Sequence, residues 1–187
     1  SIALHARTVQ QHYSGEARWE AIAELKDAVG SIPVLGNGDI WEASDAVRMM
    51  AETGCDGVVI GRGCLGRPWL FSDLVEALAG RPVPESRLLG EVCEVMVRHA
   101  RLLVGHLGEN HAMRDFRKHT GWYMSGYPVG PEVRRRFSMV KSMMELEDIV
   151  ACLEPTARIV DGGERIDRKH HDEQRHPDSA VRREGDV

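Results

Sequence analysis

Two short apolar runs, each broken by a glycine-rich turn, constrain the fold more than any other feature of the chain. Ile32-Pro33-Val34-Leu35 ends at Gly36-Asn37-Gly38-Asp39, and Gly57-Val58-Val59-Ile60 ends at Gly61-Arg62-Gly63. A helical segment from about Ser44 to Thr53 lies between them, with Ser44 as its expected N-cap and Val47, Met50 and Ala51 as its sheet-facing side. Continuous apolar strands alternating with helices predict parallel strands buried on both faces. Both turns then fall at the C-terminal ends of neighbouring strands, on one rim. Glycines there let backbone N–H groups approach an anion, and Arg62 adds a cation that can grip it.

The chain opens with a further strand, Ile2 to Arg7, on which alternation places Ala3, His5 and Arg7 on one face and Leu4 and Ala6 on the other. A histidine and an arginine near the strand's end suit either a structural or a functional role. A turn at Tyr13-Ser14-Gly15 precedes a helix with Trp19, Ile22, Leu25 and Val29 on one side, ended by Gly30, and Ile32 begins the second strand. The order is β-α-β-α-β. After Pro68-Trp69-Leu70-Phe71 comes an apolar helix through Leu78. The stretch Gly80-Arg81-Pro82-Val83-Pro84 then reads as a linker.

Everything beyond the linker is helical in pattern. Helices are expected over Ser86–Val104, Asn110–Ser125, from Pro131 and over Ser142–Cys152, and a charged tail of 154–187 is expected to be disordered. Residues 86–141 carry ten basic and five acidic side chains, whereas the flanking segments each carry seven and twelve. A basic block inside an acidic chain suits a polyanionic partner or a solvated helix surface. Cys55, Cys64, Cys93 and Cys152 form no CxxC pair and no zinc spacing, so reduced thiols, no metal and a cytoplasmic protein are expected. No apolar run is long enough for a membrane span, and no obligate protein partner is inferred.

Three parallel strands do not close a sheet. In a (β/α)8 barrel the phosphate site commonly lies in the loops after strands 7 and 8. The expected fold class is therefore α/β: the C-terminal portion of a TIM barrel (residues 1–80, its last three βα units) followed by an all-α helical domain (85–153).

His5-Ala6-Arg7-Thr8, Asn37-Gly38-Asp39-Ile40, the run Gly54 to Gly63 and Gly66-Arg67-Pro68-Trp69-Leu70-Phe71 together resemble the tRNA-dihydrouridine synthases. Arg117-Lys118-His119, Trp122-Tyr123 and Gly126-Tyr127-Pro128 resemble the same family's C-terminal signature, so the likeness covers roughly residues 2–150. The resemblance implies a flavoenzyme that uses FMN and NADPH to reduce the C5–C6 bond of uridine in tRNA. It implies that His5 bonds the flavin ring, that Asn37, Gly38, Asp39, Gly61 and Arg62 hold the ribityl chain and phosphate, and that Arg7 faces the flipped-out uridine. Arg114, Arg117, Lys118 and Arg134 to Arg136 would meet the RNA backbone, while Trp122 and Tyr123 either stack bases or fill the helical core. The family's catalytic acid is a cysteine in the first half of the barrel, and none of the four cysteines here matches its context. A fragment without a catalytic residue of its own is expected. The alternatives are a non-catalytic RNA-binding remnant, or another FMN- or phosphate-binding barrel oxidoreductase.

Overall fold

The computed structural model describes residues 1–10 and 15–160. The expected turn at Tyr13-Ser14 and the tail from residue 161 onward lie outside the described residues. Among those described, three strands form one parallel sheet in sequence order: β1 (Ile2–His5), β2 (Val34–Asn37) and β3 (Gly57–Val58). Ile2 stands opposite Val34 and His5 opposite Asn37, so the two strands end level with one another. Helices α1 (Glu20–Val29) and α2 (Ala43–Thr53) make the crossovers, and α3 (Leu70–Leu78) follows β3 after a 3-10 turn over Arg62–Cys64. Ile22, Val34, Ala46, Met49 and Leu70 form the centre of this core.

The second strand begins two residues later than its apolar run. Pro33 has no N–H to contribute to a ladder, and the Ile32 N–H closes the end of α1 by donating to Val29 C=O at 3.3 Å. Ile32 is consequently 42% exposed. What starts β2 instead is Asp56. Its Oδ2 accepts from Val34 N–H at 2.7 Å and from Lys26 Nζ at 2.6 Å, tying α1, β2 and the approach to β3 together. The Lys26 hydrogen bond, reinforced by Val34 N–H, holds this carboxyl below its ordinary pKa.

Helix α2 is capped at Glu42 rather than at Ser44, which is exposed in the first turn. The Asp45 carboxylate accepts the N–H groups of Trp41 and Glu42 at 3.0 and 2.9 Å, so the helix starts two residues before a Ser44 cap would have it. The buried face is Ala43, Ala46, Met49 and Thr53, with the half-buried Met50 packed against the core as expected, while Val47 and Ala51 point to solvent. The third strand is shorter than its sequence suggests, yet Val59 N–H still reaches Gly36 C=O at 2.8 Å.

The second half of the described chain is helical: α4 (Leu89–Leu107), α5 (Glu109–Tyr123), α6 (Gly130–Met139) and α7 (Met143–Ala151). They enclose a separate core around Met96, Met113, Phe116, Phe137, Leu146 and Ile149. Residues 154–160, expected to be disordered, pack here. Pro155 and Ala157 carbonyls accept the N–H groups of Gly90 and Leu89, both at 2.9 Å, and Val160 N–H donates to Gly126 C=O. The first N–H groups of a helix have no partner within it, and this strap supplies them for α4.

The two cores meet through the segment just after the 3-10 turn. Gly66 (φ 70°) lies so close to α5 that a Cβ there would stand 2.3 Å from the Trp122 carbonyl carbon. Trp69 packs on the helical core although it precedes α3. The Tyr127 hydroxyl donates to Arg87 C=O at 2.6 Å, and the Arg87 guanidinium pairs with the buried Asp73 carboxylate at 3.4 Å. Burial of Asp73 raises its pKa in spite of Arg87.

Candidate functional site

The C-terminal ends of the three strands form one polar rim. His5 Nδ1 is hydrogen-bonded to Asn37 Oδ1, and Asn37 Nδ2 donates to Val59 C=O at 2.6 Å. A hydrogen-bonded row therefore runs from β1 across β2 to the residue just after β3, with the His5 ring exposed at one end. The row follows from register, since His5 and Asn37 are opposed residues of a parallel pair. Next to its far end are Gly61, above which a Cβ would meet nothing within 4 Å, and the half-buried Arg62. The Arg62 guanidinium lies over the Trp41 ring, 5.4 Å from its centroid. An open glycine backbone beside a guanidinium can accept an oxyanion.

Arg7 does not share the face of His5. The strand ends at His5, and Arg7 N–H turns back to His5 C=O at 2.8 Å. Its side chain runs inward to Asp39, with Nη2 at 2.6 and 2.8 Å from the two carboxylate oxygens. The two side chains are 2% and 7% exposed. Asp39 Oδ2 also accepts Ala17 N–H at 2.7 Å, and Arg7 also donates to Gly15 C=O. Asp39 takes a left-handed backbone (φ 54°), a conformation that aspartate tolerates better than most residues. Gly38, at φ 138°, faces Ala17, whose Cβ would lie 2.6 Å from an added one. Asp39, Gly38 and Arg7 thus lie beneath the rim, and His5, Asn37, Gly61 and Arg62 lie on it.

The basic residues of the helical part divide in the same way. Arg117 Nε donates to Val140 C=O at 2.8 Å, satisfying the C-terminal end of α6, and Arg134 Nη2 donates to Tyr127 C=O at 2.7 Å. Arg134 is nonetheless exposed, as are Arg114, Lys118, Arg135 and Arg136. Tyr123 is buried and hydrogen-bonded through its hydroxyl to His99 Nδ1 at 3.1 Å, and burial pushes its phenol up to about 12. Trp122 is half-buried, edge-on to His119 at 5.0 Å. Tyr123 thus fills the helical core, whereas Trp122 is not among the residues of that core.

Sequence reasoning missed two features of the rim. Trp41 carries no motif, and Arg67 stands within the Gly66–Phe71 run without an expected role, yet Arg67 makes a two-pronged ion pair with Glu42, at 2.9 Å on each side, and reaches the Trp41 carbonyl. The signal available was the proximity of Arg67 to the glycine turn. Cys55 and Cys93 are buried, as expected of structural thiols, with Cys93 raised to about 11 by burial, while Cys64 is half-buried and donates to Gly61 C=O. Among the described residues no group of three or more potential ligands is placed to hold a metal. None of their helices is long and apolar enough to cross a membrane.

Fold and rim together define an α/β protein with a glycine-rich polar edge on a parallel sheet and a helical unit locked to it. The model of the dihydrouridine synthase family matches residues 1–158, and the chain belongs to that family. It is 58% identical over 154 residues to a probable tRNA-dihydrouridine synthase of Mycobacterium leprae, covering 82% of this chain and 40% of that protein. A Mycobacterium tuberculosis protein of the same description is 55% identical over 161 residues, covering 86% and 41%. The tRNA-dihydrouridine synthase B of Pseudomonas putida is 39% identical over 142 residues, covering 75% and 42%. The chain spans about two-fifths of the length of these relatives.

Proposed function

We propose that this chain is the cofactor-phosphate and tRNA-binding portion of a tRNA-dihydrouridine synthase. It would comprise the last three βα units of a (β/α)8 barrel and the helical domain of a cytoplasmic, FMN- and NADPH-dependent enzyme. The observation that carries the reading is the hydrogen-bonded row His5–Asn37–Val59 leading to the open Gly61-Arg62 turn. FMN, when bound and reduced by NADPH, supplies the hydride for the C5–C6 bond of uridine.

The residues present fit such a group. His5 and Asn37 offer ring and amide polar atoms on the exposed rim, and Gly61 with Arg62 offers an uncluttered, cationic place for the phosphate. Asp39 fits only as support, because a carboxylate facing a phosphate would repel it. Turned inward onto Arg7, it holds the Asn37-Gly38 turn in place. We assign Arg7, Gly38 and Asp39 this supporting role. The remainder of the barrel is supported by exposed apolar surface: Phe71, Val75 and Leu78 lie along α3, and Ile2 lies on the edge strand.

For tRNA we assign phosphate contacts to Arg114, Lys118, Arg135 and Arg136, with Arg117 shaping the surface from below and the exposed Arg134 braced on Tyr127 C=O. The test is tRNA binding by this chain across a salt series. Replacing Arg114, Lys118, Arg135 and Arg136 by alanine should lower the slope of log K against log salt by about 3 to 4. A slope unchanged by that substitution overturns the RNA assignment. The chain alone should form no dihydrouridine with FMN and NADPH, and formation of it would overturn the division of the enzyme into parts.

A further inference from the structure

Trp41 lies between the two glycine turns of the rim and belongs to neither motif. Its position is fixed from several sides. Its N–H donates to Asp45 Oδ2 at 3.0 Å, and its carbonyl accepts from Arg67 Nη1 at 3.4 Å. Gly63 approaches its backbone so closely that a Cβ there would stand 3.3 Å from Trp41 Cα. The ring itself carries the Arg62 guanidinium, at 5.4 Å. Hydrogen bonding does not account for an indole here: among the described residues its Nε1 is buried with no partner. The contact that uses the ring is the one to Arg62.

From this geometry we infer that Trp41 is a positioning residue for Arg62, holding the guanidinium ready for a phosphate monoester at the rim. An unrestrained arginine loses considerable rotamer freedom when it grips an anion. A guanidinium already held over an aromatic face loses less, and stacking engages its face while anion binding uses its N–H edge. The inference rests on the reading of Arg62 as the FMN phosphate grip. It adds a residue that touches neither the flavin nor the phosphate.

The test compares FMN with riboflavin, which lacks the phosphate, on the full 187-residue chain. The unmodified chain should prefer FMN. Trp41→Leu should weaken FMN binding roughly threefold to tenfold and leave riboflavin unchanged, and Trp41→Phe, which keeps a ring, should restore the preference. A Trp41→Leu chain with its FMN preference intact, or a phenylalanine variant no better than leucine, overturns the positioning role. If the unmodified chain binds both flavins equally, the Arg62 phosphate reading fails first. If it binds neither, the flavin reading fails. A measurement without substitution covers the case in which Trp41→Leu does not fold: FMN, and not riboflavin, should move the Trp41 indole N–H resonance. A resonance unmoved by bound FMN overturns the inference.

Discussion

Lowering the pH from 7.5 to 5.5 should destabilise the helical part through His119. This imidazole is held at about 4, against an ordinary 6.5, chiefly by burial and further by His99 and Lys118, with Asp115 acting in the opposite direction. Its neighbours explain the burial. His99 is 4.8 Å away on α4, Trp122 5.0 Å away on its own helix, and Phe116 stacks at 6.0 Å. Between pH 6.5 and 4 the unfolded chain binds a proton at this position that the folded chain excludes, so stability falls as pH falls through that window. The contribution is fully present above the unfolded pKa.

The full shift would remove about 1.3 kcal/mol between pH 7.5 and 5.5. Half-exposure and solvent screening reduce that to roughly 0.7 kcal/mol. The endpoint of pH 5.5 lies above most carboxylate titration, so the difference belongs mainly to histidines. Urea unfolding of the unmodified chain and of His119→Gln at both pH values isolates this one. The unmodified chain should lose roughly 0.7 kcal/mol more than the variant. Equal losses would refute the assignment of the shift to His119.

Two further perturbations test the frame that holds the rim. Arg7→Met leaves the Asp39 carboxylate buried without its cation and should cost about 3–5 kcal/mol in urea unfolding, whereas adding Asp39→Asn should recover part of that loss. If the double variant is no more stable than the single one, the pair is not the buried ion pair described. Gly66→Ala forces a Cβ against Trp122 backbone at a left-handed φ and should cost about 2–4 kcal/mol. Gly80→Ala, also at positive φ but in open space, should cost only about 1–2 kcal/mol, and equal costs would rule out the close approach.

Much of this arrangement is legible in the sequence because it depends on period and punctuation. The glycine turns mark the strand ends, Gly30 and Gly54 stop their helices where expected, and Ser142 caps α7 by accepting Glu145 N–H. What escapes the sequence is the competition for hydrogen bonds between distant residues. Ser44 is a good capping residue by type, but Asp45 captured the preceding N–H groups and moved the helix start. Arg117 and Lys118 are adjacent and equally cationic, yet one serves the α6 carbonyl end and the other faces solvent. Arg7 left the face of His5 because the strand stopped two residues short of it and a carboxylate lay beneath. In each case the deciding partner is remote in sequence or selected by the fold.

The same logic bears on how the rim and the helical unit act together. Only five residues separate Gly61, on the rim, from Arg67, and this short path carries Arg62 over Trp41, Gly66 against Trp122 and Arg67 onto Glu42. A shift of the helical unit would therefore displace Gly66 and, through the 3-10 turn, the guanidinium of Arg62. The junction is closed at its other side by Tyr127, Arg87 and Asp73, so rotation about Gly66 alone is resisted. Under the proposed function, a polyanion seated on Lys118 and its exposed neighbours would thus be held at a fixed distance and angle from the His5–Asn37 row. On that reading orientation of the substrate would be set by packing between two cores, and a change at Gly66 should disturb RNA placement and phosphate grip together although it touches neither ligand.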